Sequence, residues 1–198
     1  GAGKTTLTNA LRARVPGVNF SVSHTTRKPR ETERNGREYY FVERAAFQDL
    51  IAGDAFLEWA MVHGNLYGTS RGEVERARGC RALLFDVDYQ GARQIRCAEP
   101  EAVTVFILPP DMATLEKRLR GRASEDEAAV QKRFSAAKHE IAHYGSFDYV
   151  LVNDDLELAT QRLIAIFTAE ECRRQRGARR AEHLLNQVRG YGGTMPPP

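Results

Sequence analysis

Three continuous apolar runs of strand length, separated by helical segments, constrain the fold more than any other feature of the sequence. The runs are Arg81–Val87, Ala102–Leu108 and Tyr149–Val152. A run without polar alternation is typical of a strand that is covered on both faces in a parallel sheet. The alternation of these strands with helical segments predicts a doubly wound α/β fold, a parallel sheet flanked by helices. The helices predicted around these strands are 90–97, 111–119, 125–143 and 156–173.

The first half of the chain predicts a smaller, β-rich unit. Strand-like composition is found at Phe20–Ser23, Tyr39–Val42 and Phe56–Val62, with a polar basic loop at 24–37. Short helices are predicted at Arg44–Ile51 and Arg71–Arg78. At the other end, the periodicity is lost after Gly177, and we expect a frayed basic tail that ends in a Gly- and Pro-rich segment.

Composition and charge narrow the class of protein. The 198 residues are 42% hydrophobic, which suffices for one substantial core. The 29 basic and 26 acidic residues leave a net charge of only +3, which argues against binding long nucleic acids. Three widely spaced cysteines favour neither a disulfide framework nor a thiolate zinc site, and no segment has the pattern of a membrane span or a signal peptide. We therefore expect a cytoplasmic protein; the sequence does not predict its oligomeric state.

The segment Gly1-Ala-Gly-Lys-Thr-Thr matches the second half of the phosphate-loop motif G-x-x-x-x-G-K-[ST]. The first glycine of that motif would lie three residues before Gly1, and the strand that normally leads into the loop is not in the sequence. Leu7, Ala10 and Leu11 then recur at helical spacing. A loop that opens a helix in this way holds nucleotide phosphates on its amides, with Lys4 on the β- and γ-phosphates and Thr5 on Mg²⁺.

A second group of polar residues suits a nucleoside monophosphate. Arg27, Arg30 and Tyr39 offer two guanidinium forks and a phenol for a phosphate dianion. A carboxylate beside a hydroxyl could read a guanine edge, whose N1–H and amine donate hydrogen bonds. The following blocks supply such groups at Glu58, Tyr67, Thr69, Asp86 and Asp88.

These blocks, in this order, resemble the guanylate kinase family of bacterial type, from Gly1 to about Arg180. The resemblance implies phosphoryl transfer from ATP to GMP, and to dGMP, on a phosphate-loop core with a GMP-binding subdomain and a helical lid. It divides the chain into a core (1–22 and 80–180), a GMP-binding part (23–79), a lid (118–140) and a tail (181–198).

The resemblance also implies roles for individual residues. ATP would be bound by Gly1, Ala2, Gly3, Lys4, Thr5, Thr6 and Asn153. GMP would be bound by Ser23, Arg27, Arg30, Glu33, Tyr39, Glu58, Tyr67, Thr69 and Asp86. Lys4, Arg27 and the lid arginines Arg118, Arg122 and Arg133 would neutralise charge during transfer, and Asp88 would join Thr5 near the metal. Thr32 stands where the family usually has glycine, which raises the question of whether the local turn is kept.

Three other interpretations remain open on sequence grounds. His139-Glu-Ile-Ala-His143 spells the H-E-x-x-H pattern of zinc proteases, although no third ligand is evident and amphipathic helical spacing explains the same residues. A guanylate-kinase-like peptide-binding module would not need Lys4 or the arginines. A kinase of phosphorylated sugars would not need Glu58 and Thr69.

Overall fold

The computed structural model describes residues 1–121 and 127–190, which form eight α-helices, eight strands and one 3₁₀ turn. The helices are α1 (Lys4–Arg14), α2 (Arg44–Ala52), α3 (Arg71–Arg76), α4 (Tyr89–Ala98), α5 (Met112–Arg120), α6 (Glu127–Ile141), α7 (Leu156–Glu171) and α8 (Arg174–Gly190). The strands are β1 (Val18–Phe20), β2 (His24–Thr25), β3 (Tyr40–Phe41), β4 (Phe56–Val62), β5 (Asn65–Ser70), β6 (Ala82–Leu84), β7 (Val105–Leu108) and β8 (Tyr149–Val152).

The three apolar runs form parallel strands, as predicted. β6 pairs with β1, and β7 pairs with β8 in an unbroken four-residue register. The helices α4 and α5 follow β6 and β7, so the chain alternates strand and helix as the sequence pattern indicated. The predicted α/β class is confirmed. In the described part of the chain the two pairs share no ladder hydrogen bonds, and their strands appear as separate two-stranded sheets.

Helix α1 is held against both strand pairs by its apolar face. Leu7 and Leu11, one turn apart, are 0% and 1% exposed. Leu7 packs with Leu151 of β8, whereas Leu11 packs with Val18 of β1. Each buried leucine stabilises the folded chain by about 1.5–3 kcal/mol. This packing fixes the N-terminus of α1, where the phosphate loop ends.

A separate four-stranded sheet, in the order β3-β2-β5-β4, forms the smaller unit. β4 and β5 are an antiparallel hairpin that turns at His63 and Gly64, with φ values of 52° and 93°. Two successive positive φ values match the type I′ turn that suits the twist of a hairpin. Phe47 of α2 stacks on Phe56 of β4 beneath the sheet, with ring centroids 4.5 Å apart.

The sequence prediction was wrong at several elements of this region. The residues 65–70 form a full strand, and His24–Thr25 form a short strand inside the segment predicted as a loop. The strand predicted at 20–23 ends at Phe20, because the backbone N–H of Val22 donates to the buried Glu73 carboxylate at 2.9 Å. That bond directs the chain from β1 to the smaller sheet.

The prediction of a frayed tail after Gly177 was also partly wrong. Residues 174–190 continue as α8, and the residues after 190 lie outside the described part of the chain. The segment is rich in Arg, Ala, Gln and Leu, which have high intrinsic helix propensity even without a packed face. Its leucines Leu184 and Leu185 are exposed. No helix among the described residues is long and apolar enough to cross a bilayer.

Thr32 does not disturb its turn. The positive-φ residues other than glycine in the described chain are Asp54 and His63, so Thr32 keeps an ordinary backbone conformation. The turn is closed by the backbone N–H of Glu33, which donates to Arg30 O at 3.0 Å. A residue with a Cβ is therefore accommodated at this position without strain.

Candidate active site

The glycines of the phosphate loop are required by close packing at the N-terminus of α1. Gly3 precedes α1 in a left-handed conformation with φ of 93°. Asn153, which follows β8, donates from Nδ2 to Ala2 O at 2.8 Å. A Cβ on Gly3 would lie 2.2 Å from that Nδ2 atom. The amide of Asn153 thus holds the loop over the positive end of the helix dipole, where an anion is stabilised.

Asp86, at the end of the β6 segment, contacts both side chains that begin α1. Thr5 Oγ1 donates to Asp86 Oδ2 at 2.6 Å, and Lys4 Nζ lies 3.9 Å from Asp86 Oδ1. The side chain of Asp86 is 11% exposed, whereas that of Lys4 is 46% exposed. The sequence interpretation had assigned Asp86 to guanine and Asp88 to the metal. The structure places Asp86 beside Lys4 and Thr5.

Asp88 has a different task. Its Oδ1 accepts from the backbone N–H groups of Gln90 and Gly91, both at 3.0 Å, and its Oδ2 accepts from Gln90 Nε2 at 2.9 Å. These bonds make Asp88 the N-cap of α4 and engage both oxygens of its carboxylate. Nevertheless, Asp88 lines the same cavity as Asp86.

The oxygen atoms of Thr5 and Asp86 fit a magnesium ion. Mg²⁺ binds oxygen ligands at about 2.0–2.1 Å in an octahedron, so neighbouring ligands lie about 2.9 Å apart. Thr5 Oγ1 and Asp86 Oδ2 are 2.6 Å apart in their mutual hydrogen bond, so the two oxygens would separate slightly to share an ion. A hydroxyl and a carboxylate are also the ligand types that this ion prefers. The fit favours Asp86, rather than Asp88, as the acidic residue near the metal.

An ion-pair cluster positions the two predicted phosphate-binding arginines. Arg27 Nη2 donates to Glu33 Oε1 at 2.8 Å, and the backbone N–H of Arg30 donates to Glu33 Oε2 at 2.8 Å. Burial opposes charge on Glu33, but the bonds from Arg27 and Arg30 outweigh it and lower the pKa of this carboxyl. Likewise, burial would lower the pKa of Arg27, yet Glu33 raises it. Both ions are therefore charged at neutral pH.

Two tyrosines surround the Arg27 guanidinium. Its Cζ lies 5.4 Å from the ring centroid of Tyr39, and Tyr39 meets Tyr67 edge-on at 5.9 Å. Burial, together with the nearby Asp86 charge, raises the pKa of Tyr39 to about 12. Tyr39 thus stays a neutral phenol and can donate a hydrogen bond to an anion.

The loop and the tyrosine meet in one cavity of about 260 Å³. The lining includes Lys4, Thr5, Tyr39, Asp86 and Arg133. The phosphate loop therefore faces Tyr39, a member of the arginine and tyrosine cluster, across a space in which two phosphate groups could meet. Among the predicted lid arginines, Arg133 of α6 lines this cavity, and Arg122 lies outside the described residues.

The predicted guanine-reading groups converge on the hairpin. Glu58 of β4 is paired with Thr69 of β5, and Ser23 Oγ lies 3.4 Å from Thr69 Oγ1. Glu58 is 4% exposed, and this burial raises the pKa of its carboxyl against the opposing effect of hydrogen bonds from Thr69. A Cβ on Gly91 would lie 2.6 Å from Glu58 Oε2. Gly91 therefore makes room for this carboxylate, a role that the sequence did not reveal.

A second cavity, of about 350 Å³, lies on the other side of the phosphate loop. Its lining includes Gly1, Thr6, Arg118, Asn153 and Asp154. Arg118 Nη2 donates to Asn153 O at 3.0 Å, whereas Arg118 Nη1 is buried and has no hydrogen-bond partner among the described residues. The structure thus places Arg118 with Asn153 and Thr6, away from Arg27 and Arg30.

The H-E-x-x-H residues do not assemble a protease centre. Glu140 Oε1 lies 4.0 Å from His63 Nε2 at the hairpin turn. Lys132 Nζ, also on α6, donates to His63 O at 3.4 Å. Within the described ranges, no three His, Cys, Asp or Glu side chains are grouped to hold a metal. The sequence had not predicted this contact between α6 and the hairpin.

A helix-opening phosphate loop on a parallel α/β core, across a cavity from Tyr39, defines a P-loop phosphotransferase. The family model described as Guanylate kinase matches residues 1–170. The chain belongs to the guanylate kinase family, and it is accordingly a nucleoside monophosphate kinase. The resemblance proposed from the sequence is thereby confirmed, and the protease and peptide-binding alternatives are not favoured.

Individual relatives agree with this assignment. The chain is 49% identical to a guanylate kinase of Aromatoleum aromaticum over 175 residues, which are 87% of this chain and 85% of that protein. It is 50% identical to a guanylate kinase of Anaeromyxobacter dehalogenans over 176 residues, 87% of this chain and 78% of that one. A crystal structure of guanylate kinase from Anaplasma phagocytophilum matches with a TM-score of 0.72 at 35% identity, covering 86% of this chain and 83% of that one.

Proposed function

We propose that the protein transfers the γ-phosphoryl group of ATP to GMP or dGMP in the cytoplasm, giving ADP and GDP or dGDP. The observation that carries this proposal is the shared cavity, lined by Lys4 and Thr5 on one side and by Tyr39 on the other. A donor phosphate on the loop and an acceptor phosphate on the arginine cluster would face each other there.

On the donor side, the loop Gly1–Gly3 and the first turn of α1 bind the ATP phosphates. Thr5 and Asp86 hold Mg²⁺, which when bound neutralises charge on those phosphates. Lys4 extends from α1 toward the β- and γ-phosphates. On the nucleoside side, the second cavity is lined by Thr6, Arg118 and Asn153. The buried Nη1 atom of Arg118 is a donor there, and an oxygen or nitrogen atom of the nucleotide could accept its hydrogen bond.

On the acceptor side, the GMP phosphate is bound by Arg27, Arg30, Tyr39 and Tyr67. Glu33 holds the two arginines in place, which reduces the side-chain entropy lost on binding. Glu58, Thr69 and Ser23 bind the base. The ionised Glu58 carboxylate accepts from guanine N1–H and the exocyclic amine, and this pair of donors is absent from adenine.

The transfer itself needs no general base, because the attacking phosphate oxygen is already ionised. Catalysis then depends on alignment and on neutralisation of charge at the transferring group. Lys4 and Arg133 reach the shared cavity, and Arg122 would add a further cation. We assign the lid to 118–140, the GMP-binding part to 23–79 and the core to 1–22 and 80–180. Closure of the lid excludes water, which would otherwise compete as the acceptor.

The test is ADP formation from ATP and Mg²⁺ with GMP, dGMP, AMP, UMP and dTMP offered in turn, by a chain that carries the complete phosphate-loop motif. Turnover with GMP and dGMP alone is the expected result. Turnover with AMP or a pyrimidine nucleotide would refute the role of Glu58 and Thr69. Absence of turnover by folded protein would favour the peptide-binding alternative.

A further inference from the structure

Two histidines at the end of α6 are placed as a pair of metal ligands. His139 and His143 are one helical turn apart, and their Nε2 atoms are separated by 3.4 Å. Neither nitrogen has a role in the proposed phosphoryl transfer. His139 is exposed and His143 is half-buried, so an ion from solvent can reach the pair.

The surrounding contacts hold both rings in place. The His143 ring stacks on Tyr89, with centroids 3.8 Å apart and an interplanar angle of 6°. The His143 carbonyl accepts from Ser146 Oγ at 2.8 Å, which fixes the turn after α6. Tyr89 Oη lies 3.2 Å from His139 Nε2. The stacked His143 ring is therefore ordered before any ion binds, which lowers the entropic cost of binding, whereas an ion on His139 Nε2 replaces the hydrogen bond to Tyr89 Oη.

The separation of the nitrogens suits a tetrahedral ion. Zinc binds imidazole nitrogen at about 2.0–2.1 Å, so two nitrogens at a tetrahedral angle lie about 3.3 Å apart. The observed 3.4 Å agrees with this spacing. We propose that His139 and His143 form a binding site for Zn²⁺ or a similar nitrogen-preferring divalent transition-metal ion, with water completing the coordination.

This site differs from a catalytic zinc centre. The carboxylate of Glu140, the acidic residue of the H-E-x-x-H pattern, lies 4.0 Å from His63 Nε2 of the hairpin. With two protein ligands, the ion is held less firmly than in three- or four-ligand sites and exchanges with the solution. Mg²⁺ does not compete, because it prefers oxygen ligands.

Binding would connect two elements of the active site. Tyr89 begins α4 directly after Asp88, and it lines the shared cavity together with Glu140 and Ile141. An ion on the pair fixes the His143 ring that stacks on Tyr89, and so fastens the end of α6 to the start of α4. The proposed zinc site is thus separate from the nucleotide-binding residues, and the side chain of Tyr89 lies between the site and their cavity.

The experiment is equilibrium dialysis of the chelator-treated chain against Zn²⁺, without nucleotide, comparing wild type with His139→Gln, His143→Gln and the control His183→Gln. His183 is an exposed histidine on α8, hydrogen-bonded to Gln187 at 3.1 Å. Circular dichroism of each variant verifies folding. Because nucleotide and phosphoryl transfer are not involved, the result is independent of the proposed function.

We expect wild type and His183→Gln to bind one Zn²⁺ per chain with equal affinity, also in excess Mg²⁺. Loss of a residue that merely orients a metal ligand lowers metal affinity by about 10- to 100-fold. Loss of a ligand should lower it at least as much, so His139→Gln and His143→Gln should each weaken Zn²⁺ binding by about tenfold or more. Absence of stoichiometric binding by wild type, or unchanged binding by either pair variant, would overturn the proposal.

Discussion

Replacement of Glu58 by glutamine separates guanine recognition from folding. The substitution keeps the shape of the side chain and removes a carboxylate that is 4% exposed and hydrogen-bonded to Thr69. In the proposed complex, the carboxylate accepts from two donors of the guanine edge. A glutamine oxygen accepts from one of them, while its amide N–H groups oppose the other.

The magnitude follows from the hydrogen bonds involved. Loss of one hydrogen bond to a charged group costs about 1.5–3 kcal/mol, and a buried donor left unpaired costs about 1–3 kcal/mol more. The sum of about 2.5–6 kcal/mol corresponds to a decrease of about 10²- to 10⁴-fold in kcat/KM for GMP. KM for ATP is unaffected, because Glu58 does not line the cavity beside the phosphate loop that holds Arg118 and Asn153.

Glu58→Gln also changes the stability of the free protein, and here the change is favourable. Burial raises the pKa of Glu58, so the folded chain binds more protons than the unfolded chain at pH values just above the ordinary range of a glutamate. This carboxyl therefore makes the free energy of unfolding fall as the pH rises through that window. Glu58→Gln removes this titration, so its stability relative to wild type increases from about pH 4.5 upward.

Steady-state kinetics with GMP and urea unfolding as a function of pH measure the two effects. Glu73→Gln is the matched control, since Glu73 is also buried but accepts from Val22 N and Arg76 rather than from a base. That control is expected to lower stability and leave the preference for GMP over AMP unchanged. The reasoning is refuted if Glu58→Gln retains wild-type kcat/KM for GMP, or if its relative stability falls with pH.

Three further substitutions address other parts of the site. In Gly91→Ala, the new Cβ displaces Glu58, and kcat/KM for GMP should fall by roughly 10²-fold while KM for ATP is unchanged; steady-state kinetics with each nucleotide varied in turn would check both. Asp86→Asn removes the carboxylate that contacts Thr5, so the Mg²⁺ concentration for half-maximal activity should rise about 10- to 100-fold. An unchanged Mg²⁺ concentration for half-maximal activity would contradict the assignment of Asp86 to metal binding. In Arg133→Ala, kcat should fall by about 10³-fold while KM for GMP changes little, and equal effects on both would count against a role in transfer.

The sequence predicted the core well because its signals there are local. Continuous apolar runs define β6, β7 and β8, and the period of Leu7 and Leu11 defines the buried face of α1. The smaller sheet was predicted less well, since its strand order depends on contacts between distant residues. β2 has two residues and pairs with β3 and β5, which no local pattern could indicate.

The candidate site shows the same division. The family resemblance implied that Asp88, which follows β6, lies near the metal on the phosphate loop, in agreement with ligand binding at the carboxyl ends of parallel strands. It assigned Asp86 to guanine instead, because no local pattern shows which of two carboxylates separated by one residue faces α1. That distinction depends on the backbone N–H groups of Gln90 and Gly91, which engage Asp88 as the cap of α4. Asp86 then faces Thr5 and Lys4.

The six residues 86–91 consequently connect the two halves of the site. Asp86 contacts the residues that bind the ATP phosphates, Asp88 fixes the start of α4, and Gly91 on that first turn makes room for the carboxylate of Glu58. A shift of the first turn of α4 would move Gly91 against Glu58 and strain the segment that carries Asp86. Recognition of the base and alignment of the phosphates are therefore not independent properties, because one cap hydrogen-bond network positions the groups responsible for both.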